Sequence, residues 1–363
     1  MAGAVGAHFA ESYTAARRKF VARAVAAGAE VDSHRHPLDG PGGEPLYVDI
    51  ARLGSAGARR ILLTCSGTHG VEGFCGSACQ SGWLEEKGAA ALPAGMAMVM
   101  VHAINPFGFA WLRRVNEDNV DVNRNFIDFD QGVPENEAWV ELAAAVCPEL
   151  WDEAAASVFR ATCKAFVERH GERAFVKAIT GGQYSHADGV FFGGRAPVWS
   201  HRLLKRYAEE TLAAVEALAV VDFHTGLGPF GYGELICRHP PDDEALRLAR
   251  RWFGDAVTSP ALGESASPVA TGNLRMAFVD WLAEASVVAV GLEFGTHAED
   301  KVFEAIRADN WLHCHGDLES RAGHAIKANI REMFYPATDG WKELVYRRGL
   351  EVQEQALQGL AAM

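Results

Sequence analysis

Apolar and polar residues alternate along this chain in two rhythms. Short, nearly unbroken apolar runs at 46–50, 61–65, 96–102, 218–223, 234–237 and 287–293 predict strands. Runs with no polar interruption fit strands covered on both faces. Between them, apolar positions three and four apart predict helices over about 8–28, 71–86, 199–216, 243–253 and 301–314. The stretch 135–177 is helical by the same criterion, with breaks near Pro148 and Gly171. A polar, small-residue segment over 258–272 leads into a helix ending near Glu284, and further helices follow Phe334.

Strands that alternate with helices predict an α/β protein: a mixed, mostly parallel twisted sheet sandwiched by helices. No repeat, low-complexity linker or composition shift divides the sequence. The expectation is one domain over 1–363, with a mainly helical insertion at about 135–190 and extra C-terminal helices.

Several apolar runs end on chemistry, which is where open α/β sheets place their ligands. The run 61–65 leads into Thr68-His69-Gly70-Val71-Glu72, an imidazole and a carboxylate three residues apart. Zinc binds His nitrogen and carboxylate oxygen, and a catalytic site uses three protein ligands. Alone, the pair also fits a surface turn with a carboxylate at a helix N-terminus. The run 217–221 ends in Asp222-Phe223-His224, and 287–292 ends on Glu293. A carboxylate after so apolar a run is costly unless paired or functional. Between these segments lies the polar cluster Asp121-Val122-Asn123-Arg124-Asn125, which also fits a hydrogen-bonded loop anchor.

Together, in this order, the four segments resemble the zinc carboxypeptidase superfamily, including its aspartoacylase and succinylglutamate desuccinylase branch and a bacterial branch of unassigned function. The likeness covers roughly residues 45 to 300. It implies one zinc ion per chain on His69, Glu72 and His224, with Glu293 as general base. It also implies that Asn123 and Arg124 grip a free carboxylate and that Arg114 polarises the scissile carbonyl, with the adjacent Arg113 as the alternative. A ligand histidine usually gives its second ring N–H to a carboxylate or carbonyl, and Asp121 is the candidate for His69, with Asp222 as the alternative. Peptide-cleaving members carry a mobile tyrosine some twenty residues before the catalytic glutamate, where this chain has Thr271-Gly272-Asn273-Leu274-Arg275. Tyr232, within a glycine-rich turn, reads instead as a substrate-loop residue. The loop 181–189 has the composition of a pocket wall or of a plain connector.

The resulting expectation is a zinc hydrolase of an amide bond next to a free carboxylate, carboxypeptidase-like. The alternatives are an N-acyl amino acid deacylase of the aspartoacylase kind and a metal-free binding protein on the same fold. The expected partner is a small carboxylate-bearing substrate or short peptide. A net charge of −13 speaks against nucleic acid and anionic membranes, while Arg113, Arg114 and Arg124 concentrate positive charge locally. Seven scattered cysteines read as buried thiols in a reducing compartment. No long apolar run spans a membrane and the first residues lack a secretion signal, so the expected location is cytoplasmic. His313 and His315 read as a surface pair, a second metal being the alternative.

Overall fold

The computed structural model describes residues 5–363. Eight strands form one sheet: β1 (Glu30–Asp39), β2 (Pro45–Gly54), β3 (Arg60–Cys65), β4 (Met96–His102), β5 (Ala217–Phe230), β6 (Gly233–Cys237), β7 (Val257–Thr258) and β8 (Ser286–Gly295). Their order is β1-β2-β4-β3-β5-β8-β6-β7. β3 pairs parallel with β4 and β5, and β5 with β8, while β1–β2, β2–β4 and β6–β8 are antiparallel. The sheet is therefore mixed and mostly parallel, as the alternation of strands and helices implies.

The central strands are apolar throughout because both faces are covered. One face, with Leu62, Met98, Val221, Val288 and Val290, packs under helices Gly73–Glu86, Glu244–Phe253 and Asp339–Ala361. The other, with Ile61, Leu63, Val99, Val220 and Ala289, packs under helices Trp199–Thr211 and Leu274–Trp281. The stretch expected to be helical resolves into Glu137–Val146, Glu153–His170 and Glu172–Thr180, which share a smaller core with Glu299–His315 and Arg321–Phe334. Asn136 and Asp152 cap the first two of these by accepting from backbone N–H groups. No helix among the described residues is long and apolar enough to cross a membrane.

Strands β1 and β5 depart most from expectation. β1 escapes the apolar pattern because its sequence, Glu-Val-Asp-Ser-His-Arg-His-Pro-Leu-Asp, buries one residue in ten and carries no hydrophobic period. It is an edge strand held by backbone pairing to β2. β5 runs on past His224 through Gly226, Gly228 and Pro229, residues that read as loop.

Two buried histidines link the core to pH. His102 stacks on Phe20 with ring centroids 4.6 Å apart and meets Ser77 Oγ at 2.9 Å. His201 meets the backbone carbonyl of Asn125 at 3.0 Å. Burial pushes both down to about 4. Between that value and the ordinary histidine value, the unfolded chain binds protons that the folded chain refuses. This contribution to stability is present above about pH 6.5 and is lost as pH falls toward 4, at about 1.4 kcal/mol per pH unit for each group. Urea melts at pH 7 and pH 5 are expected to show that loss, reduced in His102→Gln. An equal loss in the variant would remove His102 from the account.

Candidate metal centre and active site

The site forms at the carboxyl ends of β3, β5 and β8. After β3 the chain enters a single turn, Gly70–Glu72, that runs into helix Gly73–Glu86. Gly70 is required there, since a Cβ would lie 2.0 Å from the backbone of Gly108. The turn's Gly70 and Val71 N–H groups donate to the carbonyls of Arg114 and Arg113. This ties the His-x-x-Glu turn to the arginine pair. Parallel register then sets Asp222 of β5 beside Cys65 of β3, and His224 beside Glu293 of β8.

His69, Glu72 and His224 converge with one ligand atom each, all within 4.8 Å of one another, and all three are buried. His69 Nδ1 lies 2.8 Å from Glu72 Oε1, and His224 Nδ1 lies 3.0 Å from Glu72 Oε2. Each ring turns its other nitrogen to an aspartate. His69 Nε2 is 3.3 Å from Asp121 Oδ1, and His224 Nε2 is 2.6 Å from Asp222 Oδ2. Asp222, weighed for His69, thus serves His224. Its other oxygen accepts from Thr68 Oγ1 at 2.8 Å.

The donor chemistry fits zinc, with two imidazoles and a carboxylate each backed by a second partner. Charge fits as well. Three carboxylates, Glu72, Asp121 and Asp222, touch the two rings, with Arg114 the guanidinium among them. With both rings neutral, as metal ligands are, that leaves an excess of two negative charges, which a divalent cation would balance. Burial alone would raise the Glu72 carboxyl, but His69 and His224 hold it well below the usual range. Burial alone would lower His224, yet Asp222 and Glu72 push it up to about 10. The cluster is built to hold positive charge.

Arg114, rather than Arg113, faces this cluster. Its guanidinium reaches His69 Nε2 at 2.8 Å, Glu72 Oε1 at 3.2 Å and Asp121 Oδ2 at 3.0 Å. Arg113 turns away, donating to Asp309 at 3.3 Å and Asn119 at 2.9 Å, so neither contact with the substrate nor the carbonyl-polarising role left open for it finds support in that position. Tyr232 is also outside the site. It is half exposed, in the turn between β5 and β6, and its hydroxyl bonds none of these groups.

Glu293 is buried and accepts from the Leu227 N–H at 3.1 Å. Burial, followed by the neighbouring Glu72, pushes its carboxyl up to about 7. Asn123 and Arg124 lie in the short helix Val122–Asn125, capped by Asp121. Asn123 Oδ1 accepts from the Leu274 N–H at 3.0 Å, which ties this helix to Leu274–Trp281. The Arg124 side chain donates to the carbonyls of Thr180 and Asn123.

The loop 181–189 packs on Arg124 rather than merely connecting. The Tyr184 hydroxyl donates to the Arg124 carbonyl at 2.6 Å. Phe191, in left-handed backbone with φ 56°, lies under two guanidiniums, 5.2 Å from Arg114 and 5.9 Å from Arg124. Neither aromatic stood out in the sequence, because both sit in an irregular loop with no period. His313 is crowded by Lys327 at 3.2 Å, close to the Arg113–Asp309 pair. It belongs to no ligand cluster among the described residues.

This sheet, with its site at the carboxyl ends of the central strands, defines a zinc carboxypeptidase-like α/β fold. The structure is similar to thrombin activatable fibrinolysis inhibitor, with a TM-score of 0.53 and 12% identity over 97% of this chain and 75% of that one. Weaker likenesses are to carboxypeptidase A from Helicoverpa armigera (TM-score 0.44, 13% identity, 90% and 74% of the two chains) and to a succinylglutamate desuccinylase from a Silicibacter species (0.40, 12%, 84% and 65%). The chain belongs to the family described as "Protein of unknown function (DUF2817)", which it matches over residues 9–348. No curated protein matches it.

Proposed function

We propose that this protein is a zinc-dependent hydrolase that cleaves an amide bond next to a free carboxylate. The observation that carries the reading is the buried His69–Glu72–His224 cluster with Glu293 one strand away, in register with His224. Zinc on those three side chains supplies an acidified water and a polarised carbonyl. Glu293, raised by burial toward neutrality, takes a proton from water and returns it to the leaving amine. Arg114 faces the oxygen on which negative charge develops. Asn123 and Arg124 bind the substrate carboxylate, for which the planar guanidinium suits a two-point contact.

Among amide substrates, the absence of a tyrosine in the segment before helix Leu274–Trp281 favours N-acyl amino acids over C-terminal peptide bonds. Free cysteines, most of them buried, favour a reducing compartment and hence the cytoplasm. Elemental mass spectrometry is expected to find about one zinc per chain, lost in the His69→Ala, His224→Ala double variant. Zinc-loaded protein is expected to hydrolyse members of a panel of acyl amino acids and matched dipeptides. Protein that neither holds nor takes up zinc would point to a metal-free binding protein.

A further inference from the structure

A second cleft, of about 450 Å³, borders the segment that backs the candidate site. Its size falls within the range of small-molecule sites. The floor is Val120, Phe192 and Val198, a buried apolar cluster separate from the three larger cores. Trp199 forms a wall, its ring set edge-on to His36 with centroids 5.0 Å apart. None of His69, Glu72, His224, Glu293, Arg114 or Arg124 lines this cleft. Successive residues divide the two places: Phe191 lies under Arg114 and Arg124, and Phe192 floors the cleft.

The rim carries charge of both signs, Glu117 and Asp118 from one segment and Arg195 and Arg202 from another. Opposite charges attract across a cleft, yet no ion pair joins these carboxylates to these guanidiniums among the described residues. Glu117 meets His36 at 3.3 Å, and Arg202 reaches the Pro197 carbonyl. Backbone ties hold the two segments in place. Asn116 Oδ1 accepts from the Asp118 and Val120 N–H groups at 3.1 and 2.8 Å, which fixes the turn carrying the acids. Asn125 Nδ2 donates to the carbonyls of Gly193 and Ala196 at 2.8 and 3.0 Å, and its Oδ1 accepts from the Val198 N–H at 2.9 Å. These bonds fix the segment carrying Arg195. Partial burial, then the adjacent Glu117, push the Asp118 carboxyl up, and neither guanidinium offsets them.

Separated charges of both signs over an apolar floor fit a zwitterion with an apolar side chain. We infer that this cleft is a second site, taking a free α-amino acid of that class. Its ammonium meets Glu117 and Asp118, its carboxylate meets Arg195 and Arg202, and its side chain lies on Val120, Phe192 and Trp199. If the hydrolase reading holds, on which this role rests, the ligand is the released product. An N-acyl amino acid lacks the ammonium, so the cleft takes what the reaction makes and refuses what it consumes. The short helix Val122–Asn125 serves both places, since it carries Arg124 and its Asn125 pins the cleft wall.

Calorimetry with phenylalanine, its amide and its N-acetyl derivative tests the assignment without turnover. Phenylalanine is expected to bind about fivefold more tightly than either blocked form, the scale of an exposed charge pair. Asp118 and Arg195 are exposed, and their side chains form no hydrogen bond among the described residues, so both can be varied with the fold kept. In Asp118→Asn the penalty for acetylation is expected to shrink while that for amidation stays, and in Arg195→Met the reverse. Equal binding of the three probes, no binding of phenylalanine, or penalties untouched by both variants would overturn the site. Turnover separates the two readings. Cleavage of N-acyl amino acids by protein whose penalties ignore both variants removes the cleft and leaves the hydrolase standing. The reciprocal pattern in protein that cleaves no amide keeps the amino acid site and removes its product role together with the hydrolase.

Discussion

Glu293→Gln is expected to lower turnover by about 10²–10⁴-fold while leaving zinc content and KM nearly unchanged. The substitution keeps the shape and the acceptor that the Leu227 N–H uses, and removes only the ability to take a proton. Glu293 does not touch the Nδ1 atoms of His69 and His224, which both address Glu72. Loss of activity with zinc retained therefore separates a proton carrier from a ligand. Full activity in Glu293→Gln would refute the role given to this residue. Loss of zinc would instead place it among the ligands.

The second large effect is expected at Arg114. Replacing a preorganised donor that faces developing negative charge typically costs about 2.7–4 kcal/mol in the transition state, or 10²–10³ in kcat. Arg114→Gln is expected to fall in that range with little change in KM, because the proposed function assigns the free carboxylate to Asn123 and Arg124. Arg114 also lies against Asp121, whose carboxylate is further held by the Asn123 N–H. A modest drop in melting temperature should accompany the kinetic loss. Arg113→Gln provides the contrast: its partners are Asp309 and Asn119, so stability should fall while kcat per zinc-loaded chain is kept. The reverse pattern would exchange the roles of the two arginines.

These adjacent arginines show where sequence reading reaches its limit. The strands that carry the site were legible, since 61–65, 217–223 and 287–293 are apolar runs that end on polar residues. The sheet brings those ends together. Which of two neighbouring arginines faces inward depends on the local path of an irregular turn, and no period encodes it. Tyr232 was attractive by composition, but the turn that carries it projects outward.

The side chains of the candidate metal cluster come from segments about 150 residues apart, as the contact of His224 with Glu72 spans 152 positions. In an unfolded chain these groups are strangers. They meet only where β3 and β5 pair in register, so the site is a product of assembly rather than of local sequence. Under the proposed reading, zinc bound there would favour the finished structure by mass action, so the metal would act as a latch on the sheet as well as a reagent. A chelator should accordingly loosen the whole fold, and the rate at which refolding chains capture zinc should keep time with the closing of the sheet.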